Sequence, residues 1–250
     1  MTENRRETAD FGFEEVPLKE KARRVRGVFD SVADRYDLMN DLMSGGAHRL
    51  WKHFTLSLTG LKSGDHALDI AGGTGDIAAG LARQVGRSGL VVLADINARM
   101  LEHGRDRLID RALPALSYVQ ADAERLPFAA ASFNCVTIGF GLRNVTDKAA
   151  ALASMRRVLK PGGQLLVLEF STPVVPVLSR LYDAYSFNVL PWLGRVVAGD
   201  ADSYRYLAES IRRHPNQEAL LDMMRAAGLE ACRYHNLMGG VVAVHRGYRF

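Results

Sequence analysis

Asp69-Ile70-Ala71-Gly72-Gly73-Thr74-Gly75-Asp76 follows a short apolar run, His66-Ala67-Leu68, and leads into the helical pattern Ile77-Ala-Ala-Gly-Leu-Ala-Arg-Gln-Val85. A strand ending on a carboxylate, a glycine turn and a helix start form a βα unit whose backbone can approach a nucleotide-like ligand closely. Two ligand classes use such a turn. Gly73-Thr-Gly75-Asp-Ile-Ala78 matches the G-x-G-x-x-A dinucleotide fingerprint, in which a pyrophosphate rests on a helix N-terminus. Asp69 and Asp76 would repel a pyrophosphate and suit a cationic, amino-acid-like ligand. S-adenosylmethionine carries a sulfonium and an ammonium group, so the two acids favour it over NAD. The bland alternative is an ordinary tight turn, and the pieces found downstream weigh against it.

Outward from this unit, strands and helices alternate. Strands are expected at 66–71, 90–94, 116–119, 133–138 and 164–169, with helices at about 75–85, 98–111 and 147–159 and a Lys160-Pro-Gly-Gly163 turn before the last strand. The pattern implies an α/β fold with a doubly wound, mostly parallel sheet, which places a ligand at the carboxyl ends of the strands. A helix over 216–227 and strands at 230–235 and 241–248 around Met238-Gly-Gly240 predict an antiparallel C-terminal hairpin at the sheet edge.

Residues 1–20 are polar and read as a flexible lead-in. Residues 21–60 read as an N-terminal helical cap, with Val25, Phe29, Val32 and Tyr36 along one face and a Ser44-Gly-Gly46 turn before a second helix. The remainder, 61–250, reads as one ligand-binding domain with an insertion at about 172–210. There Tyr182, Tyr185, Phe187, Trp192, Tyr204 and Tyr206 predict a helical lid over an apolar substrate pocket, extra core helices being the alternative.

Composition narrows the class. At 250 residues and 48% hydrophobic content the chain can bury a full core. The net charge of +4 is dispersed and forms no long basic block, so a nucleic-acid substrate is not expected. Cys135 and Cys232 read as reduced core thiols, in keeping with a cytoplasmic location. No apolar signal core and no apolar span of about 18 residues is present, so neither secretion by that route nor membrane crossing is expected.

Asp95 ends the second strand of the alternation, twenty residues after Gly75, where an acid can accept both ribose hydroxyls of a nucleoside. Asp122, after the third strand, is placed to accept from an adenine amine, with the Ala123 backbone beside the ring; a helix cap is its ordinary role. With Asp69, Gly73, Gly75 and Lys160-Pro-Gly-Gly163, these residues make the chain resemble the class I S-adenosylmethionine-dependent methyltransferases, whose seven-stranded, Rossmann-like sheet is then the expected fold. Tyr36-Asp-Leu-Met-Asn40, His48-Arg-Leu-Trp-Lys52, Phe140-Gly-Leu-Arg-Asn-Val-Thr-Asp147, Leu168-Glu-Phe170 and Asp202-Ser-Tyr-Arg-Tyr-Leu-Ala-Glu-Ser210 resemble, more narrowly, the ubiquinone/menaquinone biosynthesis C-methyltransferase family.

That resemblance implies carbon methylation of a prenylated quinol, with cofactor contacts at Thr74, Asp95, Asp122 and Ala123 and no metal. Many relatives carry a serine where this chain has Gly139, so a hydroxyl contact is lost there and a backbone contact is kept. The chemistry is consistent. Deprotonating a quinol, whose pKa is about 10 by analogy with tyrosine, makes a ring carbon nucleophilic, whereas an oxidised quinone is electron-poor. Arg143 is expected to stabilise the phenolate and Asn144 to orient it; Tyr36, Asp37 and His48 are weaker candidates for the base. A prenyl tail partitions into bilayers at about 0.8 kcal/mol per CH₂, so peripheral association with the inner face of the membrane is expected, through residues 180–206 or the N-terminal helix. Other quinone-biosynthesis enzymes are expected as further partners. The rival readings are a methyltransferase of another small hydrophobic or nucleic-acid acceptor, an NAD-linked reductase, and a non-catalytic cofactor-binding member of a quinone-assembly complex.

Overall fold

Side chains alternate direction along a strand, and the central strands are apolar on both faces, so each must be covered twice. In the computed structural model, which describes residues 8–32, 40–41, 44–111, 113, 116–174 and 201–250, strand β3 (His66–Ile70) sends Ala67 to one core and Leu68 and Ile70 to the other. Strand β7 (Leu159–Phe170) likewise sends Leu166 and Leu168 to the first core and Leu165 and Val167 to the second. Helix α3 (Asp76–Val85) covers the first core with Ile77, Ala78, Leu81 and Val85. Helices α5 (Lys148–Val158) and α7 (Gln217–Ala226) cover the second with Leu152, Met155, Leu220 and Met224.

With β4 (Leu90–Asp95), β5 (Leu116–Gln120), β6 (Phe133–Gly139), β8 (Glu230–Leu237) and β9 (Val242–Tyr248), the main sheet has seven strands in the order β5-β4-β3-β6-β7-β9-β8. β3 through β7 pair in parallel, and β9 runs antiparallel to both its neighbours. The expected alternation and the antiparallel ending are therefore both present, with boundaries shifted by one or two residues except at the start of β7. From β3 the chain winds outward to β5 and then returns to β6 beside β3. That reversal opens a crevice at the carboxyl ends of β3 and β6.

Two elements differ from the sequence reading. Lys160-Pro-Gly-Gly163, expected as a turn ahead of a strand, lies within β7: Phe133 pairs with Leu159 and Cys135 with Gln164, so the four residues form an irregularity in a continuous pairing. Residues 8–17, expected as part of a flexible lead-in, form a hairpin of β1 (Thr8–Phe11) and β2 (Glu14–Pro17). The physical reason is tertiary. Phe11 stacks on Tyr206 with ring centroids 4.3 Å apart, the Phe13 amide donates to Glu209 Oε2 at 3.1 Å, and Val16 is fully buried.

The hairpin leads directly into α1 (Leu18–Val32), the first helix of the expected cap. The second, α2 (His48–Ser57), fixes Trp51 against Phe140 and Phe170, whose rings lie 6.1 and 6.2 Å away. Of the expected lid, Tyr182, Tyr185, Phe187 and Trp192 lie outside the described residues. The later residues of that stretch lie in helix α6 (Ala201–Arg213), in which Tyr204 joins the first core and Tyr206 is buried.

Candidate cofactor and active site

Backbone strain is present at two adjacent strand ends. Ala71 (φ 51°) follows β3 and Phe140 (φ 55°) follows β6, both in the left-handed region without being glycine. Such positions cost on the order of 1–3 kcal/mol each and persist where surrounding packing fixes them. Here a Cβ on Gly141 would lie 2.5 Å from the Ala71 Cβ, so the two turns are in contact. Gly75 precedes α3 at φ 79°, and a Cβ there would come within 2.5 Å of Leu108. The turn is also wedged from outside. Gly104, on helix α4 (Ala98–Asp110), sits so close that a Cβ would overlap the Gly73 carbonyl oxygen.

The strand-end acids are set by their neighbours. Asp69 lies beside Thr137 in the β3–β6 register, and the Thr137 hydroxyl donates to its Oδ1 at 2.7 Å while the Ala78 amide donates to its Oδ2 at 3.0 Å. At 1% exposure, burial pushes its carboxyl up to about 7 against those two hydrogen bonds. Asp95 accepts from the Gly73 amide at 3.0 Å and from the Asn97 amide at 2.8 Å, and burial pushes it up to about 6. Both oxygens of Asp76, expected to face a cation of the ligand, pair with protein cations: Lys52 at 2.8 Å and Arg107 at 3.0 Å. Burial alone would raise its pKa; these cations hold it below the ordinary carboxylate value. Asp122 is exposed and accepts from the Glu124 amide, capping the short 3-10 turn Ala123–Arg125 as well as facing the crevice.

A cavity of about 1300 Å³ gathers Gly73, Asp95, Asp122, Ala123, Arg143 and Asn144. Asp69, Thr74 and Gly139 line a second, much smaller recess together with Lys52 and Asp76. Gly75 lies in neither wall and acts as the cap of α3. At Gly139 a Cβ would meet the tip of Ile77 at 2.6 Å, so this chain fills with an isoleucine methyl the space a serine side chain would need.

Arg143 and Asn144 occupy the short 3-10 turn Leu142–Asn144 after β6. The Arg143 guanidinium donates through Nη1 to Glu169 Oε1 at 2.8 Å and to the Phe140 carbonyl, and its backbone amide reaches Glu169 Oε2 at 3.2 Å. Arg143 is 6% exposed and Glu169 1%, so the pair is a buried ion pair. It also sits over the Phe170 ring, 5.6 Å from the centroid. Asn144 accepts from the Tyr206 hydroxyl at 3.0 Å, and Tyr206 is the residue on which Phe11 stacks. His48 is buried beside Asp41, its Nε2 2.9 Å from Oδ1, and burial lowers its pKa. Tyr36 and Asp37 lie outside the described residues.

Sequence reasoning gave no role to Glu169, Thr137, Gly104 or Lys21. Glu169 had a readable signal, since a carboxylate ending an apolar strand requires a partner. The other three act through contacts between segments distant in the chain.

A family model described as the ubiE/COQ5 methyltransferase family matches residues 17–249. The "Ubiquinone/menaquinone biosynthesis C-methyltransferase UbiE" of Teredinibacter turnerae is 62% identical over 96% of this chain and 97% of its own length. The protein of the same name from Pseudomonas paraeruginosa is 61% identical over 97% and 95%. Among solved structures, a SAM-dependent methyltransferase from Aquifex aeolicus covers 86% of this chain and 98% of its own at 15% identity and a TM-score of 0.60. A SAM-dependent methyltransferase of Thermotoga maritima, a possible histamine N-methyltransferase, covers 90% and 99% at 21% identity and a TM-score of 0.62. At those identities the structures speak for the fold alone. The narrower assignment comes from the sequence matches, the family model running through the glycine turn and the Arg143–Asn144 turn alike: the chain belongs to the ubiE/COQ5 methyltransferase family.

Proposed function

We propose that this chain methylates a ring carbon of a prenylated quinol with S-adenosylmethionine, converting demethylmenaquinol to menaquinol and 2-methoxy-6-polyprenyl-1,4-benzoquinol to its 5-methyl product. The observation that carries the reading is the identity of about three residues in five, over nearly the whole of both chains, with relatives named for that biosynthesis. The cavity fits such a cofactor. Asp95, aligned by the Gly73 and Asn97 amides, has acceptor capacity left for ribose hydroxyls. Asp122 and Ala123 line the same wall for an adenine, and Gly73, which lines it too, lets its backbone approach a ligand without a side chain between them. Asp69, Thr74 and Gly139 in the adjoining recess would face the amino-acid end.

When bound, S-adenosylmethionine supplies an electrophilic methyl group. The protein's part is to hold the ring carbon in line with it at about 3–3.5 Å, exclude water, and offset the charge that develops on the ring oxygen. Asn144, fixed by Tyr206, orients that oxygen. Arg143 contributes mainly by shaping the turn, because Glu169 balances its charge.

The test is transfer of labelled methyl to the two quinols, each with its oxidised quinone as control. Label is expected in at least one quinol and in neither quinone. Label in a quinone, or in no quinol while cofactor binds, would overturn the reading.

We further propose that the protein is cytoplasmic, works at a membrane surface where its substrate resides, and meets other quinone-biosynthesis enzymes there. Among the described residues no helix is long and apolar enough to cross a membrane. Flotation with anionic liposomes carrying demethylmenaquinol is expected to bring the full chain to the lipid fraction; protein remaining wholly in the dense fraction would contradict the surface role.

A further inference from the structure

Lys21 is 3% exposed, yet among the described residues no carboxylate pairs with it. Its Nζ donates to one acceptor, the Val145 carbonyl oxygen, at 3.2 Å. The Lys148 Nζ reaches that same oxygen at 3.3 Å. Two amines on one carbonyl repel as ammonium ions, and an ammonium has three donors to satisfy. Packing explains neither feature: a neutral donor would serve Val145 as well, without the cost of burying charge.

The place of this amine in the fold is what gives it a use. Lys21 lies on the first turns of α1, which the β1–β2 hairpin fastens to α6 through the Phe11–Tyr206 stack. It lines the large cavity together with Arg143, Asn144 and Tyr206, and its acceptor, Val145, directly follows Asn144 in the chain. We propose that Lys21 is the general base of the reaction, taking the proton from the quinol oxygen that Asn144 orients. This rests on the quinol reading above.

In the step, the quinol O–H bond breaks, an N–H bond forms on Lys21, and the oxygen's electron pair moves through the ring to the carbon that takes the methyl group. That carbon's own hydrogen then leaves to solvent as a proton, its C–H pair restores the aromatic ring, and the oxygen recovers its proton from Lys21. One proton is released per turnover. The charged groups facing Lys21 are Lys148 from α5, Asp10 from β1 and Glu124 from the 3-10 turn. Burial, then Lys148, lowers its pKa to about 8 against the two acids. A usable fraction of free amine therefore exists near neutral pH.

The sign follows from the role: a base works when deprotonated, so single-turnover rate should rise with pH through about 8 and then level off. Lys21→Arg keeps a charge and a donor for Val145 but cannot give up a proton. It is expected to lose about a hundredfold or more in rate together with that ascending limb, with cofactor affinity unchanged. Lys21→Met should behave alike. A second readout needs no turnover. A prenylated 4-nitrophenol, bound beside S-adenosylhomocysteine, should ionise at lower pH in the wild type than in Lys21→Met, which has neither charge nor proton acceptor there, as seen in its absorbance.

Variants that keep the ascending limb, or a Lys21→Met protein that ionises the nitrophenol as the wild type does, would overturn the assignment. If the wild type methylates no quinol, the functional reading fails, and the nitrophenol comparison still decides for or against Lys21.

Discussion

Replacing Arg143 by alanine is expected to lower methyl-transfer turnover by about a hundredfold, the scale on which a misplaced catalytic turn acts, while cofactor affinity changes little. The cause lies in Glu169. Its carboxylate is buried and takes donors from the Arg143 guanidinium and backbone amide and from the Phe170 amide. Removing the guanidinium strands that charge, and breaking a buried pair from one side costs about 3–5 kcal/mol of stability. Asp95 and Asp122 are held by the Gly73, Asn97 and Glu124 amides, whereas the pair's own hydrogen bonds run to Phe140 and Phe170.

The stability and activity effects are separable. Arg143→Met combined with Glu169→Leu removes both charges and should regain most of the lost stability, since a well-packed apolar pair often matches a buried ionic one. Turnover should stay low, because the Phe140 carbonyl has still lost its donor and the turn that carries Asn144 its brace. Urea unfolding, cofactor titration and single-turnover rate measure the three quantities. Cofactor affinity falling in step with turnover, or a double variant that recovers both stability and rate, would show that the pair is only structural.

Much of this site was legible in the chain because it is local. Asp69 through Asp76 carry strand end, turn and helix start within eight residues, and Asp95 and Asp122 each stand at the end of their own apolar run. The alternation of such runs with helical periods fixed the sheet class for the same reason. What escaped is made by pairs far apart in sequence. Residues 8–17 contain too few apolar side chains to announce two strands; they are ordered by Tyr206 and Glu209, nearly two hundred residues away. Gly104 looks like an ordinary weak point of a helix until the Gly73 carbonyl is seen against it. The turn that carries Arg143 was legible as the end of an apolar strand, and the neutralisation of its charge by Glu169 was not, since nothing local to residue 143 points to β7. Asp76 fits the same pattern: its position at the glycine turn was readable, but Lys52 and Arg107, which occupy it, come from α2 and α4.

Asp69 should give the protein two opposite responses to pH. Its carboxyl titrates near 7 in the fold and at an ordinary 3.8 in the unfolded chain. A group raised by folding contributes its full stability below the unfolded value and loses it as pH rises through the folded one, here a change of about 4 kcal/mol between roughly pH 4 and 7. Asp95, raised to about 6, has the same sign, whereas Asp76, lowered, has the opposite sign and acts at more acid pH. The protein without cofactor should therefore unfold at lower urea concentration at pH 8 than at pH 5. A cationic ligand reverses the preference, since a nearby positive charge favours the carboxylate. Affinity for S-adenosylmethionine should accordingly rise over the same interval, and affinity for S-adenosylhomocysteine, which lacks the sulfonium, should rise less. Asp69→Asn tests both trends. Its amide can still accept from Ala78 and can donate to the Thr137 oxygen, whose hydroxyl turns to the Leu68 carbonyl 3.5 Å away. The variant should fold, resist urea better than the wild type at pH 8, and show flatter pH dependence in both stability and S-adenosylmethionine binding. Equal slopes in wild type and variant would mean that Asp69 is ionised throughout, and that the burial of its carboxyl is balanced by its two hydrogen bonds and by the Lys52 charge.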